Sequence, residues 1–136
     1  MKKLLSSNYS DGAFNFALLL IRLAFGLLLI ANHGLNKLMN FSSMQNTFYS
    51  FMGIGSRFSL LLDLLAELFC SMFIILGLFT RIAAIPLIIV MCVVIFGVHG
   101  HQSLQKSEIE ILYLTAFLTI LFVGPGKISV DGMMRG

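Results

Sequence analysis

Apolar residues fill four long stretches of the chain, at about 14–38, 57–79, 82–100 and 108–124. Each is near the roughly 20 residues a helix needs to cross a hydrocarbon layer about 30 Å thick. The pattern therefore predicts an all-α fold, an integral membrane four-helix bundle. Between the first two stretches, Phe41, Met44, Phe48 and Met52 recur at helical spacing, separated by Ser42, Gln45, Asn46 and Ser50. That alternation predicts a short interfacial helix over about 42–52, lying on the membrane face before Gly53-Ile54-Gly55 re-enters it. Gly77-Leu78-Phe79-Thr80-Arg81 leaves so little connecting chain that the second and third helices are expected as antiparallel neighbours. Gly124-Pro125-Gly126 ends the fourth, since proline has no amide to donate and glycine permits the turn. No repeat or linker divides the sequence, which is read as a single transmembrane domain over 1–136.

Composition agrees with that pattern. Of 136 residues, 58% are hydrophobic and 11% charged, and the mean hydropathy is +0.96. Soluble domains average about 45–50% apolar and about 25% charged. The nine Lys and Arg residues are scattered and form no basic stripe, so the expected partner is the lipid bilayer and not nucleic acid. The first apolar stretch is too long for a cleaved signal core, and no small-x-small site follows Ala31, which predicts a retained helix. Lys2, Lys3, Arg81, Lys127 and Arg135 fall on one side of a four-span topology; Lys37, Arg57 and Lys106 fall on the other. The positive-inside bias then predicts both termini in the cytoplasm and a place in the plasma (inner) membrane. Cys70 and Cys92 fall at different depths and are read as small apolar fillers.

The departures from the apolar pattern carry the candidate chemistry. Arg22, His33 and Lys37 lie in the first stretch, Asp63 and Glu67 in the second. His99 and His101 close the third, while Glu108 and Glu110 open the fourth. A bare charge at the middle of a spanning helix costs roughly 2.5–3.5 kcal/mol on insertion scales, so such residues face one another or a wet cavity. Arg22, Gly26, His33 and Lys37 share one helical face, and Asp63 and Glu67 lie one turn apart. The expected pairings are Arg22 with Glu67, and Lys37 or His33 with Asp63. His99, His101 and Glu108 are candidates for an outer mouth. On the last helix, the face of Glu108, Leu112, Thr115 and Thr119 and the face of Glu110, Tyr113 and Phe117 remain alternatives. The His99-Gly100-His101 spacing is weak support for a metal, and none is assigned.

These features resemble the DoxX/DoxD family of small four-helix bacterial membrane proteins. The resemblance covers about residues 14–131. It rests on Arg22-Leu23 through Gly26 to His33-Gly34 and Lys37-Leu38, on Glu67 followed by Gly77-Leu78-Phe79-Thr80-Arg81, on the histidines after the third stretch, and on Gly124-Pro125-Gly126-Lys127-Ile128-Ser129-Val130-Asp131. It implies a membrane bundle, one branch of the family serving as a subunit of thiosulfate:quinone oxidoreductase and others being associated with oxidative or quinone stress. The matching polar residues are Arg22, His33, Lys37, Glu67, Arg81 and His99 or His101, with Asp63 outside the pattern.

The leading expectation is an accessory or subunit of a quinone-linked redox system. In it Glu67, with Asp63, accepts a proton; His33 relays it, Lys37 stabilises oxyanion charge and Arg22 holds Glu67. No haem-attachment or nucleotide-binding motif is present. Quinone is the candidate ligand, and electrons would require a soluble or membrane redox partner. A proton-coupled small-solute carrier, expected as a homo-oligomer, and a structural scaffold are the alternatives.

Overall fold

The computed structural model describes residues 5–50, 53–98 and 104–135. Helix α1 (Asp11–Met39) starts where Ser10 caps it, its Oγ accepting from the Ala13 amide at 3.1 Å, with Asp11 in the positively polarised first turn. There follow α2 (Phe41–Met44), α3 (Ser56–Leu76), α4 (Thr80–Gly97), α5 (Glu108–Val123) and α6 (Val130–Arg135). Among the described residues there is no strand. Helices α1, α3 and α4 have 29, 21 and 18 residues and are long and apolar enough to cross a membrane. Helix α5 has 16 residues, about 24 Å, and is extended at its start by the 3-10 turn Leu104–Ser107. Outward faces carry Phe16, Leu20, Leu27, Ile82, Ile85, Ile89 and Phe122. So large an apolar surface suits lipid tails and not water.

The bundle closes around Leu29, Ile74, Ala84, Leu87, Phe117 and Ile120, all buried. Helices α1 and α3 each contain one π-helical turn, Ile30–Gly34 and Ala66–Cys70, and the end of α4 runs into a third, Val94–Val98. The first has a visible effect on facing. Buried positions run Leu18, Arg22, Gly26, Leu29 and then Gly34, a five-residue step where an unbroken α-helix gives three or four. At Gly34 the α1 and α3 backbones approach so closely that a Cβ would lie 2.6 Å from Leu68 Cδ2.

At the end of the bundle where α1 begins, the chain after α5 folds back across the α3–α4 turn. Gly77 takes φ +73° there and has no room for a Cβ, which would meet Ser129 Cβ at 2.3 Å. Phe79, a non-glycine residue at φ +47°, is held by Asp131 from the tail. The Asp131 carboxylate accepts from the Phe79 amide at 2.9 Å, and from the Thr80 amide and hydroxyl at 3.0 Å each. Asp131 is thus a cap for α4 supplied from elsewhere in the chain. Asn15 Oδ1 accepts from the Lys127 amide at 2.9 Å and joins the start of α1 to the same segment. Replacing Asp131 by Ala is expected to cost about 1–2 kcal/mol, the value of a lost cap. It would be read as a lower unfolding midpoint in detergent; an unchanged midpoint would remove Asp131 from this role.

The interfacial helix expected over 42–52 is much shorter. Only Phe41–Met44 is helical, 45–47 form turns, and positions 51 and 52 lie outside the described residues. The cause is side-chain competition for the backbone. Ser43 Oγ donates to the Asn40 carbonyl at 2.9 Å, Asn40 Nδ2 to the Asn36 carbonyl at 2.8 Å, and Ser56 Oγ to the Gln45 carbonyl at 2.7 Å.

Candidate intramembrane polar site

Lys37 Nζ donates to both Asp63 Oδ2 and Glu67 Oε1. The helical turn between the two carboxylates on α3 brings both to one ammonium on α1. Glu67 and Asp63 are buried, Glu67 completely, and the Lys37 side chain is 15% exposed. Phe48, just after α2, lies over Lys37 with its ring centroid 5.5 Å from Nζ. The short loop thus acts as a roof. Asp63 Oδ1, Glu67 Oε2 and Ser71 Oγ are buried without a hydrogen-bond partner among the described residues.

An aromatic layer borders this triad. His33 sits in the π turn of α1 and meets Tyr113 of α5 edge-on, the centroids 5.5 Å apart. Tyr113 also meets Phe25 edge-on at 5.6 Å and stacks on Phe117 at 6.0 Å. Tyr113 and Phe117 are buried, so α5 turns its Glu110–Tyr113–Phe117 face inward. Glu110 Oε2 is buried there without a hydrogen-bond partner among the described residues. Glu108 lies on the other face, exposed beside Gln105 and Leu112. Of the two faces left open by the sequence, the one with Glu110 points inward and the one with Glu108, a mouth candidate, points outward. His99 and His101 lie outside the described residues.

One expected pairing is corrected, and the other resolves to the first of its two alternatives, Lys37 with Asp63. Lys37, rather than Arg22, is the partner of Glu67, and the same ammonium serves Asp63. His33 makes no hydrogen bond to the triad among the described residues, its ring resting on Tyr113 instead. Arg22 is fully buried, but its guanidinium donates to four backbone carbonyls. Nε reaches Ile74 at 3.0 Å and Nη2 reaches Ile75 at 2.9 Å; Nη1 reaches Pro125 at 3.1 Å and Ile128 at 2.6 Å. Ile74 is seven residues along α3 from Glu67, about 10 Å at 1.5 Å per residue. Arg22 is deeper toward the terminal end than any Glu67 pairing allows. At the end of α3 it bonds to the Ile75 carbonyl and adds a second donor to the Ile74 carbonyl, which also accepts from the Gly77 amide.

A groove of about 280 Å³ lies beside the triad, between α3, α4 and the loop after α2. Among the described residues Asp63 is the only charged one lining it, and Ser59 and Tyr49 add hydroxyls. Phe48, Pro86 and Val90 are among its apolar walls. Leu62 and Ile89, also in the wall, are half-exposed, so the groove opens on the lipid-facing side of the bundle. Among the described residues, no group of three His, Cys, Asp or Glu could hold a metal ion. Phe48 and Tyr49 belong to the surroundings of the site without having been singled out as chemistry in the sequence. The aromatic residues of the amphipathic stretch were the available signal, read there as membrane contacts.

Comparison with known proteins places this geometry in context. A family model, DoxX, matches residues 17–100, which include α3, most of α1 and all of α4. The chain is 29% identical over 126 residues to the uncharacterized membrane protein Rv3486 of Mycobacterium tuberculosis (strain ATCC 25618 / H37Rv), covering 82% of this chain and 77% of that relative. No solved structure matches it.

Proposed function

Since the chain belongs to the DoxX family of multi-pass membrane proteins, we propose that it is an accessory or subunit of a quinone-linked redox system. On this reading it binds the head group of a lipid-soluble quinone or quinol at the Lys37–Asp63–Glu67 triad. The observation that carries the reading is the triad's position: a buried ammonium with two carboxylates, beside an apolar groove that opens toward lipid. A hydrophobic ring system can partition into the bilayer and reach such a groove sideways.

Oxidation of a quinol to its quinone releases two protons and two electrons. On this reading Glu67, with Asp63, takes one proton. His33, half-buried and edge-on to Tyr113, takes the other. The two electrons would require a redox cofactor, a flavin or haem, on a partner protein. On the same reading the chain lies in the inner membrane with both termini in the cytoplasm, which the arginine and lysine distribution supports.

The test is binding of a short-chain benzoquinone, in its oxidised and reduced forms, to the purified protein in lipid nanodiscs. At one hundred times its Kd, a ligand stabilises the folded state by about 2.7 kcal/mol, which appears as a raised melting temperature. Val93→Phe, which fills the groove, is expected to remove that rise. Absence of any rise with either form overturns the reading.

A further inference from the structure

We infer that a pocket at the start of α4 is a site for the phosphate group of an anionic phospholipid, with Arg81 as the residue that binds it. The site lies at the end of the bundle where α1 begins and is independent of the triad and of any quinone. It follows from where the charges at this end are already balanced and where one is not.

The pocket has a volume of about 410 Å³ and is walled by Phe79, Thr80, Arg81 and Ile82 of α4 and its turn, and by Pro125 and Asp131 of the tail. Asp131 is committed. Its two oxygens accept the three hydrogen bonds that cap α4, as an ionised carboxylate does. Its charge is also offset from behind by Arg22, which attracts it electrostatically and whose Nη1 bonds the carbonyl of Pro125 in the pocket wall. Arg81 has no such balance. Among the described residues it forms no ion pair, and its guanidinium makes one hydrogen bond, from Nη2 to the Val123 carbonyl at 3.3 Å. Gly124, at φ +92°, lets the guanidinium lie against the backbone, since a Cβ there would sit 3.1 Å from Nη2 and 3.3 Å from Nε. The two arginines and one aspartate around this pocket therefore leave one positive charge uncompensated. It belongs to a group that is held in place and still carries unused donors.

Depth identifies the anion as a lipid's. Arg81 is the second residue of α4, whose 18 residues span about 27 Å, slightly less than a hydrocarbon layer of about 30 Å. Its first turn thus falls at the boundary where phospholipid phosphates lie. Phe79 and Ile82 line the pocket and are more than half exposed. Phe122, one residue before the carbonyl that holds Arg81, is exposed as well. Acyl chains would cover these apolar side chains while the head group fills the polar part of the pocket. A planar guanidinium matches two phosphate oxygens at once. With one charge in excess, a head group of single net negative charge suits the pocket better than a zwitterionic one. A free phosphate ion would leave the apolar rim uncovered.

The experiment titrates the full-length protein, delipidated in a nonionic detergent, with phosphatidylglycerol or with phosphatidylcholine of the same acyl chains, and counts bound lipid by native mass spectrometry. Phosphatidylglycerol is expected to bind about fivefold tighter or more. Arg81→Gln is expected to remove that preference. Arg57→Gln, which removes an exposed charge in the first turn of α3 at the far end of the bundle, is expected to retain it. Ile82→Glu puts an acid on the pocket rim at an exposed position, where packing does not depend on the side chain, and is expected to remove the preference as Arg81→Gln does. An excess of inorganic phosphate is expected to leave the lipid bound. Equal binding of the two lipids to the unaltered protein overturns the inference, as does a preference that survives Arg81→Gln or that Arg57→Gln removes. Should Arg81→Gln fail to fold, Ile82→Glu decides in its place. Displacement by inorganic phosphate overturns the lipid as the occupant.

Discussion

Arg22→Leu is expected to destabilise the folded bundle by about 3–5 kcal/mol, measured by denaturant titration of the purified protein in detergent or bicelles. The magnitude follows from what the guanidinium serves. Its three nitrogens bond to the carbonyls of Ile74, Ile75, Pro125 and Ile128, and the side chain is 1% exposed. Each bond from a charged donor contributes roughly 1.5–3 kcal/mol net, and each carbonyl left unpaired carries its own desolvation cost. The losses do not sum fully, since the Ile74 carbonyl also accepts from the Gly77 amide at 3.1 Å and the tail can relax. Arg22→Lys should recover only part of the stability. A single ammonium lacks the planar fork that reaches α3 on one side and the tail on the other. A loss below about 1 kcal/mol for Arg22→Leu would mean that the tail is held by something other than this arginine.

That role for Arg22 marks the boundary of what could be read from the chain. The apolar runs predict the helices well because burial and lipid contact both act on side-chain type, which a sequence states directly. Three of the four expected runs are long apolar helices, and the tight Gly77–Thr80 turn and the stop at Gly124 follow from backbone restrictions on Gly and Pro. Pairing between buried charges is different in kind. The best partners for Arg22 are backbone carbonyls, which every residue possesses and no sequence pattern marks. The register of α1 against α3 is set by the close approach at Gly34, and a π turn breaks the regular 100° step beyond Leu29. Together they place His33 on Tyr113 and Lys37 on the carboxylates. Lys37 with Asp63 was among the readable alternatives; the second carboxylate on the same ammonium was not. The stretch from Phe41 to Met52 shows the opposite error. Its apolar spacing is helical, but its Ser and Asn side chains compete for the backbone, and a roof over the site replaces most of the expected helix.

Lys37→Met is expected to be as damaging as the loss of Arg22, about 3–5 kcal/mol, because it strands two buried carboxylates. In the native bundle both acids share this ammonium, and among the described residues no other Lys or Arg forms an ion pair with either. Methionine matches the length and apolar stem of lysine, so packing against Phe48 is largely retained and the effect isolates the charge. The decisive comparison is the triple variant Lys37→Met, Asp63→Asn, Glu67→Gln. Neutral amides of similar shape remove the stranded charges, and replacing a whole buried ionic group is often close to neutral where removing one partner is not. Stability within about 1–2 kcal/mol of the unaltered protein is therefore expected for the triple variant, measured by the same titration. If Lys37→Met alone is tolerated to within 1 kcal/mol, or the triple variant is no better than the single, the three side chains do not act as one electrostatic unit. A rescued triple variant that no longer binds any benzoquinol probe would separate the two parts of the argument: the charges would be dispensable for folding and required for the ligand.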